Sequence, residues 1–420
     1  MSSRPGPYLL RLFSAGLAAW IGGTGILLYH FYTINPLVSI WTVLVFPLFS
    51  AILILGFLKI LLFFLLPTLS WILGIAAAFL SDALVWIVKL LALLDFSLIL
   101  VGRVSLAPIV LYYCIIFFIG FAYFRRPHIK RAICTFMLCS IIIYLGALKW
   151  QRSYRDNLVL TCLDVGHGQA IFVRLPGKAN VLFDAGSLYG NDVGTRIVSP
   201  YLDYIGIRKI DALIISHNDT DHINGVPEVV ESCKVRGVYA NNAFFDMKDV
   251  WGTAQFLNDC LAEKGLEIKR IEKDLNLGGS AKIEMLWPNE QHGPYENLSD
   301  NDRSLVSLIE FAGVRILLCS DIEEFAQKEL LRLYPALKAD VVVVPHHGST
   351  TTLDLEFLEH LNANVLICSC GRRQYEQMDR DTKSLKYFPS EAKLLRTPET
   401  GTITVSIDKS GSIKTEVFVK

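Results

Sequence analysis

The chain changes texture near residue 150. Before that point, apolar runs pass with hardly any charge. None occurs between Arg11 and Lys59, a gap of 47 residues, none between Lys59 and Asp82, and none from Ser105 to Phe124. A helix rises about 1.5 Å per residue, so about 20 apolar residues cross a bilayer core. The pattern predicts an all-α, multi-span membrane domain over 1–150, with spans near 13–32, 38–58, 60–80, 105–124 and 132–148. A large soluble protein rarely strings so many uncharged runs together. The start has no small-residue cleavage pattern and further spans follow it, which argues against a signal peptide. Residues 82–103, "DALVWIVKLLALLDFSLILVGR", carry Asp82, Lys89 and Asp95 among large apolar side chains. They are expected to lie along the membrane interface as an amphipathic helix.

From 157 onward the apolar runs are short and β-branched. "LVLTCLDVG", "QAIFVRLP" and "NVLFDAG" end in Gly, Pro or Asp and read as strands joined by tight turns. "KIDALIISH", "VRGVYAN", "ADVVVVPHHGS", "NVLICSC" and "TITVSID" read as further strands, and "SLVSLIEFAGVRILLCSD" as a hairpin turning at Ala312-Gly313. Helical spacing runs through "VGTRIVSPYLDYIG", "VWGTAQFLNDCLAEKG", "EEFAQKELLRLY" and "LDLEFLEHL", and a helix begins in "HINGVPEVVESC". Strands and helices alternate with frequent hairpins, so 155–420 is expected to be a mixed α/β domain.

Charge sharpens this division. The formal net charge of zero is a cancellation: residues 1–150 hold ten Lys and Arg against two acids, and the remaining 270 hold 30 against 38. The two parts therefore carry +8 and −8 and suit different surroundings. Four basic residues in "FRRPHIKR", 124–131, should face the cytoplasm. One span follows them, so everything after 149 is expected outside, in a multi-pass inner-membrane protein. The nine cysteines show no metal-knuckle spacing and are expected to be buried free thiols.

The chemistry gathers at strand ends. "SHNDTDHINGV", 216–226, sets His217, Asp219, Asp221 and His222 directly after the apolar run "IDALII". Imidazole nitrogens and carboxylate oxygens in one tight turn suit zinc or manganese, whereas an acidic surface turn with a helix cap is the plainer reading. "ILLCSD" ends in Asp321, and "VVVVPHHGS" ends in His346, His347 and Ser349. With His167, five of the nine histidines lie at strand ends; His30, His128, His292 and His360 do not. These ligands suffice for two divalent cations, which can lower the pKa of a bound water and clamp both oxygens of a phosphoryl displacement. Ser349 with His346 or His347 as base is the covalent alternative, but no third group accompanies them.

Taken together, "LDVGHGQAIFVRLPGKANVLFDAG", the HxDxDH turn, "NDRSLV", "LLCSDIE", "DVVVVPHHGS" and "RTPETGTITV" resemble, in order, the C-terminal domain of the ComEC family of competence proteins. That domain is a metallo-β-lactamase-like αββα sandwich. Residues 15–150, with "LLYHFYTINPLVSIWTVLVFPL" matching best, are similar to the trailing helices of the competence channel. The resemblance implies that His217 and Asp219 serve one metal and Asp221 and His222 another. It implies that Asp321 bridges them and that His346 or His347 closes the second site. His347 is favoured as ligand, with His346 contacting phosphate; Asp221, Asp321 and His346 would then carry the catalysis. Asp184 would orient a ligand, and Asp164, His167, Asn301 and Ser349 would border the site or the substrate.

The implied function is a membrane-tethered two-metal nuclease (Zn or Mn) that degrades the non-transported strand of incoming DNA. Membrane lipid, DNA and a separate channel-forming chain or other uptake proteins are the expected partners. His167 stands where the family has Gln, Gln169 where it has Asp, and "RRQYEQMDR" where it has a GHP segment. A DNA-channel component with a degenerate hydrolase domain is therefore the alternative, as is a hydrolase of another phosphoester or lactone. The −8 balance of the second part argues mildly against tight DNA binding, because phosphate contacts need Lys and Arg. Against the family pattern the chain starts near the last third of the membrane region, as a fragment, a split gene or a shortened paralogue would.

Overall fold

A computed structural model describes residues 5–94, 98–123, 126–245, 252–271, 274–288, 298–380 and 388–418. Asp95, Arg125 of the basic loop, and His292 lie outside them. Two compact units emerge, 1–149 with 203–207, and 150–202 with 208–420.

The first unit holds four helices long and apolar enough to cross a membrane, Tyr8–Phe31, Val38–Leu62, Pro67–Ala92 and His128–Ser153. A shorter apolar helix, Leu106–Phe121, has 16 residues, or about 24 Å at 1.5 Å per residue. Its tyrosines tie it to the first helix. Tyr112 Oη donates to the Ile21 carbonyl at 2.6 Å and Tyr113 Oη to that of Gly22 at 2.9 Å. Gly25 leaves the room, since a Cβ there would sit 2.7 Å from the Tyr113 ring. The separate interfacial helix expected at 82–103 is not formed. No Gly or Pro falls between Gly74 and Gly102, so the helix from Pro67 runs on to Ala92, taking Asp82 and Lys89 with it. Ile99–Leu100 then pairs as a short strand with Thr33–Ile34.

The second unit is built on two mixed sheets. The first has eight strands in the order Ile268–Arg270, Val238–Ala240, Ala212–Ile215, Asn180–Phe183, Ile171–Arg174, Leu158–Cys162, Thr402–Ile407, Ile413–Phe418. The second has seven: Asp274–Leu275, Lys282–Trp287, Val306–Phe311, Val314–Leu318, Val341–Val343, Val365–Cys368, Lys393–Arg396. Successive strand residues point to opposite faces. Leu160, Val173, Val181 and Ile214 from the first sheet thus meet Ile309, Ile316, Val343 and Ile367 from the second in one buried core.

The outer faces are also covered. Leu317, Val342 and Leu366 pack with Ala326, Leu330, Phe357 and Leu361 of the helices Glu324–Leu333 and Leu355–Leu361. On the other side Tyr201, from the helix Ser199–Ile205, sets its ring edge-on to Phe172 and its hydroxyl on Thr161 Oγ1 at 2.8 Å. The result is the expected αββα sandwich, a metallo-β-lactamase fold. Parallel register aligns Phe183 with Ile214, Leu318 with Val343, and Val343 with Ile367. The loops that follow these strands therefore leave the sheets side by side.

Candidate metal centre

Those loops carry the site. Asp221, His222, Asp321 and His347 place one ligand atom each within 4.8 Å of one another, and all but Asp221 are buried. His222 Nε2 faces Asp321 Oδ1 at 3.2 Å. His347 Nε2 lies 3.4 Å from both Asp321 Oδ2 and Asp221 Oδ2. His217 lies beside them, its ring tilted against that of His222 with the centres 4.2 Å apart.

The hydrogen bonds dictate which nitrogen each ring offers. Asp184 Oδ2 accepts from His222 Nδ1 at 2.9 Å, Gln169 Nε2 at 2.9 Å and Ser216 Oγ at 2.7 Å, while Oδ1 accepts from the Ser216 amide at 2.8 Å. Ser216 has spent its only proton on Asp184, so its oxygen accepts from His217 Nδ1 at 3.0 Å. His347 Nδ1 donates to the Ser369 carbonyl at 2.8 Å. All three rings are thereby held with a proton on Nδ1 and with Nε2 turned inward. Nε2 of His217, His222 and His347, and Oδ1 of Asp321, are buried without a hydrogen bond. Buried polar atoms are normally satisfied. Those of His222, His347 and Asp321 converge with an Asp221 oxygen, and with their outer partners in place they form the donor set of a divalent metal site and fit such an ion.

Charge agrees. Burial alone would push Asp321 up, yet His222 and His347 hold it well below the usual carboxylate range. Burial likewise pushes Asp221 up, and His347 and His222 bring it to about 2. Burial would lower the two histidines, but the carboxylates raise His222 well above its ordinary value and His347 to about 10.

The backbone is bent to make this geometry. Asp184, Ser320, His346 and His347 have φ of 55°, 50°, 47° and 55°, a region few non-glycine residues enter and one that clusters at functional sites. Consecutive left-handed residues send the two adjacent histidines to different neighbours. His347 joins the ligand group, whereas His346 Nδ1 lies 3.1 Å from Thr352 Oγ1 and 3.6 Å from Glu323 Oε1. The structure therefore does not bring His346 into the group. Asn301 likewise donates to Glu323 Oε1, at 3.1 Å. Ser349 Oγ pairs with Thr351 Oγ1 at 2.9 Å. Asp164 has its amide on Thr402 Oγ1 at 3.3 Å and its charge beside Cys162.

Asp219 is half-exposed, 3.5 Å from Nε2 of the buried His217, and this pair lies next to the group of four. His167 borders the mouth, with Nε2 3.8 Å from Asp221 Oδ2. The reading from sequence alone missed Ser216, Ser369, and Ser304, whose Oγ accepts from the Asp321 amide at 3.1 Å. It also missed that Gln169 serves Asp184. Ser216 was the most findable, because it opens the histidine turn itself.

Comparison with known proteins agrees with both units. Residues 163–371 match the metallo-beta-lactamase superfamily model, and residues 1–126 match the competence protein model. "ComE operon protein 3" of Bacillus subtilis (strain 168) is 25% identical over 412 residues, covering 94% of this chain and 51% of its own length. "Competence protein ComA" of Neisseria gonorrhoeae is 25% identical, covering 68% of this chain and 39% of its own. The chain thus spans about half the length of the first relative and less of the second. Among solved structures, the metallo-beta-lactamase fold protein YhfI from Bacillus subtilis aligns with TM-score 0.38 at 13% identity, over 62% of this chain and 100% of YhfI. A region that matches the competence protein model is thus followed by a metallo-beta-lactamase domain with a cluster of candidate divalent-metal ligands, the two-part arrangement of the ComEC family.

Proposed function

We propose that this chain is a membrane-tethered, metal-dependent phosphodiesterase of a DNA-uptake system, degrading the strand that does not enter the cell. The observation that carries the reading is the group Asp221, His222, Asp321 and His347, with one ligand atom each within 4.8 Å of one another and with Nε2 of both histidines and Oδ1 of Asp321 buried without a hydrogen bond. Asp221, His222, Asp321 and His347 would hold one ion. The buried His217 and the half-exposed Asp219 would hold a second, with Asp321 shared. Bound Zn or Mn would supply an activated water and charge stabilisation for a phosphate. The chain's own residues do the rest. Asp184, Ser216 and Ser369 hold the imidazoles in one tautomer, and the two sheets keep the ligands from sliding apart. Purified in detergent and loaded with Mn or Zn, the chain should cut linear DNA and lose that activity in EDTA. Absence of cleavage with any divalent ion would sink this reading.

Substitution of the family's GHP segment by the helix Arg372–Arg380 favours a second reading, a channel component whose hydrolase domain is inactive. It predicts bound metal without cleavage, so the same assay with elemental analysis separates the two.

Degradation of the non-transported strand requires the second unit outside the cytoplasm. The basic stretch 124–131, whose Lys130 and Arg131 lie at the start of the helix Pro127–Ser153, supports that orientation. A reporter active only in the periplasm should give signal when fused after Lys420. Signal only from a cytoplasm-active reporter would reverse the topology and rule out degradation before entry.

A further inference from the structure

A line of side chains leads from the ligand group to the surface. The ring of His167 lies 4.9 Å from that of His347, and the Tyr189 ring lies 6.0 Å from His167. The Arg373 guanidinium stands 5.7 Å from the Tyr189 ring centre. Tyr189 is 72% exposed, an unusual place for a large aromatic ring beside a buried polar site. Its loop is nonetheless held. The Ser187 amide donates to Asn224 Oδ1 at 3.0 Å, Asn224 Nδ2 returns to the Ser187 carbonyl at 2.8 Å, and the Leu188 amide donates to the His167 carbonyl at 2.7 Å. Opposite, Gly371 lets the helix Arg372–Arg380 start against His167, since a Cβ there would lie 3.0 Å from His167 Cβ.

We propose that Tyr189 and Arg373, with the edge of His167, form a stacking platform for one unpaired DNA base whose phosphate lies over the ligand group. The proposal rests on the phosphodiesterase reading for the nature of the ligand. Aromatic faces and guanidinium planes take any base by its π-face. In a duplex, both faces of a base are covered by its neighbours, so the platform selects single strands. The net charge of −8 over residues 151–420 leaves little general attraction for phosphate. Local stacking next to the metal ligands is the affinity that such a surface can still provide.

The test is fluorescence anisotropy with labelled oligothymidylate and a duplex of equal length, on the full chain in detergent after EDTA treatment, so that binding is read apart from cleavage. Tyr189→Ala should weaken oligothymidylate binding about 5- to 140-fold, the ratio corresponding to roughly 1–3 kcal/mol per stacked base. Tyr189→Phe keeps the ring and should retain binding, whereas Tyr189→Leu keeps bulk without a π-face and should lose it. Arg373→Ala should weaken single-strand binding more than Arg373→Lys. Metal uptake on reloading and melting temperature report the fold of each variant. Wild-type binding in both Tyr189→Ala and Tyr189→Leu, or an equal loss for duplex, overturns the platform. A chain that binds single strands through Tyr189 yet cleaves nothing keeps the platform and sinks the phosphodiesterase reading. Cleavage whose KM ignores Tyr189 does the opposite.

Discussion

Asp321→Asn is expected to strip the chain of bound divalent metal and to lower DNA cleavage by more than about 100-fold, since losing a group that only orients a ligand already costs about 10–100-fold. Asparagine keeps the shape but loses the charge and one ligand oxygen. The carboxylate lies 3.2 Å from His222 Nε2 and 3.4 Å from His347 Nε2, with its side chain 4% exposed. Breaking a buried ion pair on one side costs about 3–5 kcal/mol when the remaining charge is stranded. Here His222 still has Asp184 at 2.9 Å and His347 still has Asp221 at 3.4 Å, so the domain should stay folded.

The metal-free protein gives an independent check. Despite burial, His347 is raised to about 10 and Asp321 is held well below its usual range. A raised histidine contributes stability that is complete below its unfolded pKa of about 6.5 and is lost as pH climbs through the folded value. A depressed carboxylate contributes above its unfolded pKa of about 3.9 and loses that contribution as pH falls. After EDTA, wild type should therefore out-melt Asp321→Asn most clearly between about pH 4 and 6.5, with the gap closing toward about pH 10. Wild-type metal content in the variant would remove Asp321 from the site. Chelator-resistant cleavage that survives in Asp321→Asn and disappears in Ser349→Ala would replace the metal with a serine nucleophile.

The ligands were legible because each follows directly on an apolar run: "IDALII" before the histidine turn, "ILLC" before Asp321, "VVVV" before His347. Polar side chains with metal-binding atoms at the ends of buried strands have few other reasons to be there. What supports them was not legible. Ser369 reaches the Gly168 carbonyl across 201 residues, and Gln169 reaches Asp184 across 15. A serine or glutamine carries no mark of such a distant partner. The choice between His346 and His347 was equally hidden, because two positive φ angles, invisible in composition, send adjacent rings to different places. Among the strands, Lys282–Trp287 and Lys393–Arg396 carry charge among their apolar residues, and the edge strand Ile413–Phe418 is mostly exposed. None offered the short apolar run that marks the others. The third membrane helix ran past its expected end because single charges at Asp82 and Lys89, unlike Gly or Pro, do not stop a helix.

Gly186→Ala should damage the site through the backbone alone, and do so more thoroughly than losing Asp221. Three loops close behind the ligands here. The Gly186 amide donates to the Gln169 carbonyl at 3.0 Å, the Gln169 amide to that of Asp221 at 3.1 Å, and the Ala185 amide to that of His222 at 2.8 Å. A Cβ on Gly186 would lie 2.4 Å from the Asp221 carbonyl carbon and 2.4 Å from the His222 nitrogen. Gly168, at φ 150°, is just as confined, its Cβ falling 2.4 Å from the Gly186 carbonyl oxygen. Both obstacles are backbone, so no side chain can swing aside, and the peptide joining two ligands must retreat by about 1 Å to reach ordinary contact. A misplacement of that size can cost about 100-fold in rate. Overpacking of this kind costs about 1–3 kcal/mol, which for a domain of this size lowers the melting temperature by roughly 2–12 °C. Asp221→Ala, by contrast, removes one ligand and leaves the three-loop clasp closed. In EDTA, Gly186→Ala should therefore melt below wild type by more than Asp221→Ala does, while both lose metal in elemental analysis. Unchanged metal content and melting in Gly186→Ala would mean that the loops part at no cost, and that the tight glycine contact does not hold Asp221 and His222 in place.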